Sequence, residues 1–315
     1  MHARVFIAAV GSVLSSTGIV FLNKWLFAFD DFSFPATLTG WHLITTHLVL
    51  ACALRLSIFT RKGLSWRVKL WFSVLDAVAM ALQNLSLNRN SVNFYQTCKL
   101  CTVPVIVMIE KVLGKTLPNA HTMLVLSVIT LGVGLSTGAN FDSNSVGVVI
   151  GLGATLSTAL VIVATTWLQK LHDLSSTQLL HNIAILDGLL LVVFGPALDY
   201  QLSSRVLYVD YKWTSESRMV FGLTCVMAVL VNCITFYLLG KVSPVSYQVI
   251  GQAKTVIIYG VGYYFFDREV SHRANVGALV ALFGCLVYAR ITLTQSDDRN
   301  VSKRSASGRE DEHGM

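Results

Sequence analysis

At 315 residues, 54% hydrophobic and only 13% charged, with a mean hydropathy of +0.61, the chain is too apolar for a soluble domain, where about 25% of residues are charged. A polytopic membrane protein is predicted. The net charge of +7 does not collect into a nucleic-acid-binding patch but falls at the ends of apolar segments, so no nucleic-acid partner is expected.

Ten apolar segments follow one another at 4–27, 35–55, 68–88, 91–112, 119–139, 145–168, 177–198, 217–239, 243–266 and 273–294. Each is long enough to cross a hydrocarbon core of about 30 Å. Without water in the bilayer, backbone groups must pair inside each segment, so all ten are read as helices. The connections are short except for 199–216, whose Asp199, Asp210 and Glu216 are scattered and lack the spacing of a metal or paired-acid site. With the N-terminus in the cytosol, fifteen Lys and Arg fall on the cytosolic side and six on the other. The positive-inside rule then predicts that both termini are cytosolic.

The first apolar run starts near the initiator and is too long for a signal h-region, so no cleavable presequence is expected. All six cysteines lie in spans and are read as reduced small hydrophobes. Cys98 and Cys101 form a CxxC with no second pair or His cluster, so no metal or other cofactor is expected. Residues 295–315 are polar and mixed in charge, the composition of a disordered tail.

Three lysines remain inside the spans: Lys24, Lys99 and Lys254. A lysine at the bilayer centre costs about 2.5–3.5 kcal/mol on insertion scales and calls for a function or a partner. The fourth and ninth spans align at an offset of 152, where Ser91, Tyr95 and Gln96 match Ser243, Tyr247 and Gln248. Five spans per half force the two halves into opposite orientations, the inverted-repeat plan of many secondary transporters. Residues 1–142 and 143–294 are the expected repeats. Lys99 follows Tyr95 by four residues and Lys254 follows Tyr247 by seven, which keeps each lysine on the face of its tyrosine. At 1.5 Å per residue, Lys99 lies about 12 Å from the lumenal end of its span and Lys254 about 17 Å from the cytosolic end of the other. Two ammonium groups at mid-depth suit a doubly negative ligand such as a pyrophosphate bridge, with Tyr, Gln and Thr255 supplying hydrogen bonds. The competing structural reading pairs the lysines with Asp76 and Asp187.

The strings NKWLF (23–27), TLTGWHL (37–43), QNLSLNRNSVNFYQTCK (83–99), SSTQLL (175–180) and GKVSPVSYQVIGQAKT (240–255) resemble the nucleotide-sugar/triose-phosphate translocator family. Within it they are most similar to the plant-type transporters of UDP-xylose and UDP-galactose/UDP-rhamnose. The resemblance covers nearly the whole chain. It implies an all-α membrane protein of ten transmembrane helices in two inverted five-helix repeats, the drug/metabolite transporter fold. It also implies a multi-pass carrier in the Golgi or endoplasmic reticulum membrane that exchanges a cytosolic nucleotide sugar for a lumenal nucleoside monophosphate.

By the same resemblance Lys99 and Lys254 hold the phosphates, while Tyr95, Gln96, Tyr247 and Gln248 shape the pocket. Lysine followed by threonine, as in Lys254-Thr255, marks nucleotide-sugar carriers, and the seventh span contributes base recognition through His181 and Asn182. The chain departs from the family at that pair, where a tyrosine and a glutamine are usual, and at Asp76 and Asp187, where amides are expected. Asn84 and Asn232 either face the cavity or bond between helices. His42 and His47 are read as packing or hydrogen-bonding residues, and GVVIGLG (147–153) as a close-packing stripe.

The expected partners are a nucleotide sugar, a nucleoside monophosphate and the lipid bilayer. Whether the chain pairs as a homodimer stays open. No enzyme is predicted. The alternatives are an exchanger of phosphorylated sugars or phosphoenolpyruvate-type metabolites, a membrane-embedded enzyme acting on lipid-linked sugars, and a non-transporting paralogue.

Overall fold

The computed structural model describes residues 2–29, 32–89, 98–99, 101–115, 118–137, 145–266, 272–273, 276–277, 279–288 and 290–291. The described chain is helical. Helix α1 spans His2–Phe29, α2 Pro35–Arg55, α3 Trp66–Arg89, α4 Thr102–Val112 and α5 Ala120–Thr137. Helix α6 spans Ser145–Leu171, α7 Ser176–Ser203, α8 Ser215–Lys241, α9 Pro244–Phe266 and α10 Leu279–Tyr288. Six of these carry stretches long and apolar enough to cross a membrane, in α1, α2, α3, α6, α7 and α8. Large apolar side chains such as Phe6, Leu131, Val149, Phe194 and Phe283 stand exposed on the outer faces. An aqueous surface would not tolerate so much contiguous apolar area, whereas lipid requires it.

The helix ends follow local chemistry. Pro35 opens α2, where its missing N–H is no loss. Capping boxes open α7 (Ser175 with Gln178) and α8 (Thr214 with Ser217). One boundary departs from the sequence reading. Helix α7 runs to Ser203 rather than ending near 198, so Asp199 lies in a helix and not in the long connection. The reason is a cap delivered across the fold. Asp199 is fully buried, and its carboxylate accepts from Ala36 N and Thr37 N at 2.9 Å each and from Thr37 Oγ1. These amides are among the orphan donors at the start of α2, where the helix dipole favours an anion. The connection beyond it contains a single helical turn, Leu207–Asp210.

Glycines permit close helix crossings. A Cβ at Gly40 of α2 would lie 2.8 Å from Val192 N of α7, and one at Gly188 would lie 3.0 Å from Ile44 N. Any larger side chain would force α2 and α7 apart. A similar approach joins α5 and α10, where a Cβ at Gly132 would lie 2.6 Å from Ala281 N. Around these crossings α3 packs on α6 and α7, α8 on α1 and α2, α4 on α6 and α9, and α9 on α1. A main apolar cluster including Ile106, Ile129, Ile162, Leu239 and Val249 ties α4, α5, α6, α8 and α9 together. A second, with Phe72, Leu168 and Ile183, locks α3, α6 and α7. Among the described residues, a sizeable cavity lies between these clusters.

Candidate functional site

The cavity measures about 420 Å³ and is lined from α1, α2, α3, α6, α7, α8 and α9 together with the 98–102 segment leading into α4. That volume falls within the usual range for small-molecule sites, about 300–1,000 Å³. Lys99 and Lys254 both line it, and so do Tyr247 and Gln248. Each lysine is held by identifiable neighbours. Thr155 of α6 donates its hydroxyl to Cys98 O at 2.9 Å, which fixes the backbone immediately before Lys99. Lys254 Nζ donates to Ser12 Oγ of α1 at 3.3 Å and lies 5.7 Å from the centroid of the Tyr247 ring. That second contact is within cation–π range, and the seven-residue spacing of Lys254 and Tyr247 on α9 makes it geometrically available.

The rest of the lining is rich in hydroxyls and amides. Thr155, Thr158 and Thr165 come from one face of α6, and Gln83, Asn232 and Gln252 from α3, α8 and α9. Gln83 Nε2 donates to Thr158 Oγ1 at 3.0 Å, and Asn232 Nδ2 to Thr46 Oγ1 at 3.0 Å. Asn232 therefore does both of the things the sequence left open. Ammonium, hydroxyl and amide donors around one cavity are the set that stabilises clustered anionic oxygens. Sequence reasoning missed the α6 threonines and Ser12. The signal was present in the spacing of 155, 158 and 165, which keeps three hydroxyls on one helical face.

Not every residue singled out from the sequence converges there. Asn84 follows the cavity-lining Gln83 on α3 but is not part of the lining. His181 and Asn182 also stand apart from it. The Asn182 side chain is buried and spent on the chain between α2 and α3. It donates to Lys62 O at 2.8 Å and to Gln178 O at 2.7 Å, and accepts from Leu64 N at 3.3 Å. His181 stacks on His47 with ring centroids 4.6 Å apart and planes 8° from parallel, while His47 Nδ1 bonds to His181 O at 3.1 Å. His42 Nε2 bonds to Thr224 Oγ1 at 3.0 Å. Tyr95, Gln96 and the Thr255 side chain lie outside the described residues. Asp76 and Asp187 line the cavity, and their carboxyl groups contact each other. Two ion pairs among the described residues, Lys62–Asp173 and Lys115–Glu110, lie elsewhere. All six cysteines are free.

Comparison with known proteins gives this arrangement a family. The chain is 37% identical over 278 residues to UDP-xylose transporter 2 of Arabidopsis thaliana, covering 88% of this chain and 78% of that one. It is 34% identical over 305 residues to UDP-xylose transporter 1 of the same plant, covering 97% and 89%. UDP-rhamnose/UDP-galactose transporter 2, also from Arabidopsis thaliana, is 33% identical over 280 residues, covering 88% and 80%. A solved crystal structure at 13% identity superimposes with a TM-score of 0.70 over 92% of this chain and 99% of its own, which supports the fold alone. The family and these relatives are transporters rather than enzymes. The Triose-phosphate Transporter family model matches residues 13–289, and the chain belongs to that family.

Proposed function

We propose that the chain is a nucleotide-sugar antiporter, which carries a UDP-sugar into the Golgi or endoplasmic reticulum lumen in exchange for UMP. The observation that carries this reading is the convergence of Lys99 and Lys254 on one cavity. They arrive on the segments that the sequence relates as repeats. The pyrophosphate of a nucleotide sugar bears two negative charges, one for each ammonium. Tyr247, Gln248 and the α6 threonines stand where hydroxyl and amide donors can complete its shell, and Tyr95, Gln96 and Thr255 are assigned the same role from sequence. The relatives' names supply the substrate class, a UDP-linked sugar.

The packing supports ten spans in two inverted repeats, residues 1–142 and 143–294, with both termini cytosolic. Adding five to each helix number maps the first half onto the second. Under that mapping α3 on α6 becomes α8 on α1, α3 on α7 becomes α8 on α2, and α4 on α6 becomes α9 on α1. The pairs α2–α7, α4–α9 and α5–α10 map onto themselves. Such self-mapping pairs are what a two-fold axis in the membrane plane produces, and the cavity lies between the halves where that plan puts a substrate.

An exchanger of phosphorylated sugars is the second reading, since the family takes its name from such carriers. The two separate by uptake into proteoliposomes loaded with UMP or with inorganic phosphate. The nucleotide-sugar reading expects UDP-xylose, UDP-galactose or UDP-rhamnose to enter against UMP. Uptake of triose phosphate against inorganic phosphate, with none of the UDP-sugars, would favour the second reading.

A further inference from the structure

One group in the cavity wall is left unused by phosphate recognition. Asp76 on α3 and Asp187 on α7 both line the cavity, with their carboxyl groups side by side. Two ionised carboxylates can only accept hydrogen bonds and repel each other, whereas a proton on one of them turns it into a donor to the other. Asp187 is 1% exposed. Ionising both groups would set two like charges side by side, one of them cut off from water. Asp187 Oδ1 is also buried without a hydrogen-bond partner. A buried acceptor left without a partner is costly, and a further proton on the pair would relieve it.

The groups facing the pair from each packed element are few. Helix α6 presents the neutral Thr155, Thr158 and Thr165, and α8 presents Asn232. On α2, His42 is bonded to Thr224 and His47 to His181 of α7. On α7 itself Asp199 is spent on capping α2. On α3, Lys69 lies two turns before Asp76, toward the start of the helix. Lys99 and Lys254, with Tyr247, face the same cavity from α9 and the segment before α4. The α8–α2 crossing, which corresponds to α3–α7 under the repeat mapping, is joined by Asn232 and Thr46 at 3.0 Å, a neutral bond. An amide and a hydroxyl suffice to join such a crossing. Two acids add something a joint does not need: a charge that a proton can change.

We propose that Asp76 and Asp187 form a proton-binding site in the cavity wall, and that binding of a dianionic nucleotide sugar in the same cavity is linked to uptake of a proton by this pair. The identity of the anion rests on the proposed function above; the shared proton does not. Holding one proton, the pair carries one negative charge. A pyrophosphate bridge brings two more into the cavity, and repulsion then favours transfer of a second proton from bulk water to the remaining carboxylate. No other bond changes. Because the loaded form binds more protons than the empty one, affinity rises as pH falls, by at most about tenfold per pH unit for one proton.

Isothermal titration calorimetry of UDP-xylose into the purified protein, repeated in buffers of different ionisation enthalpy, counts the linked protons. The pyrophosphate diester of a nucleotide sugar stays ionised near neutral pH, so those protons are taken up by the protein. Uptake approaching one proton is expected, with a dissociation constant several-fold lower at about pH 6 than at about pH 8. Whatever binding remains in the double variant Asp76→Asn/Asp187→Asn should show no linked proton, whereas each single variant keeps one carboxylate that can still take one up. Wild-type proton uptake persisting in the double variant would assign it to other groups and overturn the proposal, as would pH-independent binding by the wild type. Infrared titration of the ligand-free wild type, labelled at aspartate, needs no variant and no substrate. It should show the carbonyl stretch of a protonated carboxylic acid at neutral pH. Its absence would overturn the shared proton directly. Its presence in a protein that binds no UDP-sugar would uphold the shared proton, and the failure would fall on the substrate reading.

Discussion

An ammonium group in an apolar segment is costly unless a cavity or an anion receives it, and Lys99 and Lys254 both line the same cavity. Truncating one member of a charged contact costs about 2–5 kcal/mol, or roughly thirty-fold to several-thousand-fold in affinity. Lys99→Ala and Lys254→Ala should therefore abolish measurable UDP-sugar uptake while leaving the melting temperature of the purified protein near wild type. Lys→Arg should restore little, because a planar guanidinium differs from an ammonium in shape and hydration. A variant with near-normal uptake would remove that lysine from the site. The lysines were legible in the sequence because a charge in a lipid-length segment has few bland explanations. The α6 threonines were not. Thr158 and Thr165 bond to their own helix at Ala154 O (2.7 Å) and Val161 O (2.8 Å), as threonines do in many helices, and only the fold reveals which face meets the cavity. Asn182 marks the opposite limit, since its amide is committed to the 62–64 chain and Gln178. Asn182→Ala should lower the melting temperature, at about 1–3 kcal/mol for the orphaned partners, and leave the ratio of uridine to guanosine substrates unchanged. A shifted ratio would return base recognition to this end of α7.

At the scale of the element, α2 and α7 share a glycine-lined joint. Gly188→Ala would drive a methyl into Ile44 and Gly40, and overpacking of this kind costs about 1–3 kcal/mol. Asp199→Ala would strip the cap from α2, at about 0.5–2 kcal/mol. Both should lower the thermal midpoint in detergent, and both should retain uptake at permissive temperature because neither residue lines the cavity. A normal melting temperature with lost transport would recast the joint as part of the moving machinery. The positions of α2, α3, α6, α8 and α9 were legible to within three residues at either end, because apolar length and Pro, Ser or Thr starts locate such helices. The extension of α7 was hidden. An aspartate reads as a loop residue until a second helix supplies amides for it to cap. The glycine joint was hidden for a similar reason. The GVVIGLG motif draws the eye to α6, whereas the α2–α7 crossing uses Gly40 and Gly188, which lie on different helices and share no motif.

For the whole molecule, the proposed inverted-repeat plan, with both lysines at one cavity, would give the two lysines a mechanical role. Two ammonium groups about 8 Å apart in an effective dielectric of about 20 repel by about 2 kcal/mol. A dianion between them cancels that term, so the loaded carrier should close more readily than the empty one. Preferential stabilisation of the closed state is what a ligand needs in order to drive the transition. With odd-numbered repeats the chain's ends should also share one side. Epitopes at both termini should be accessible from the cytosol in sealed vesicles, and a protected C-terminus would break the ten-span plan. The most direct test of the central claim, that a cavity with paired lysines carries nucleotide sugar only by exchange, is uptake of labelled UDP-xylose, UDP-galactose or UDP-rhamnose into proteoliposomes with and without internal UMP. The account expects rapid concentrative uptake with internal UMP, little without it, and none in either case for Lys254→Ala. Equally rapid concentrative uptake into vesicles holding no nucleotide would show that the empty carrier returns freely, and would contradict it.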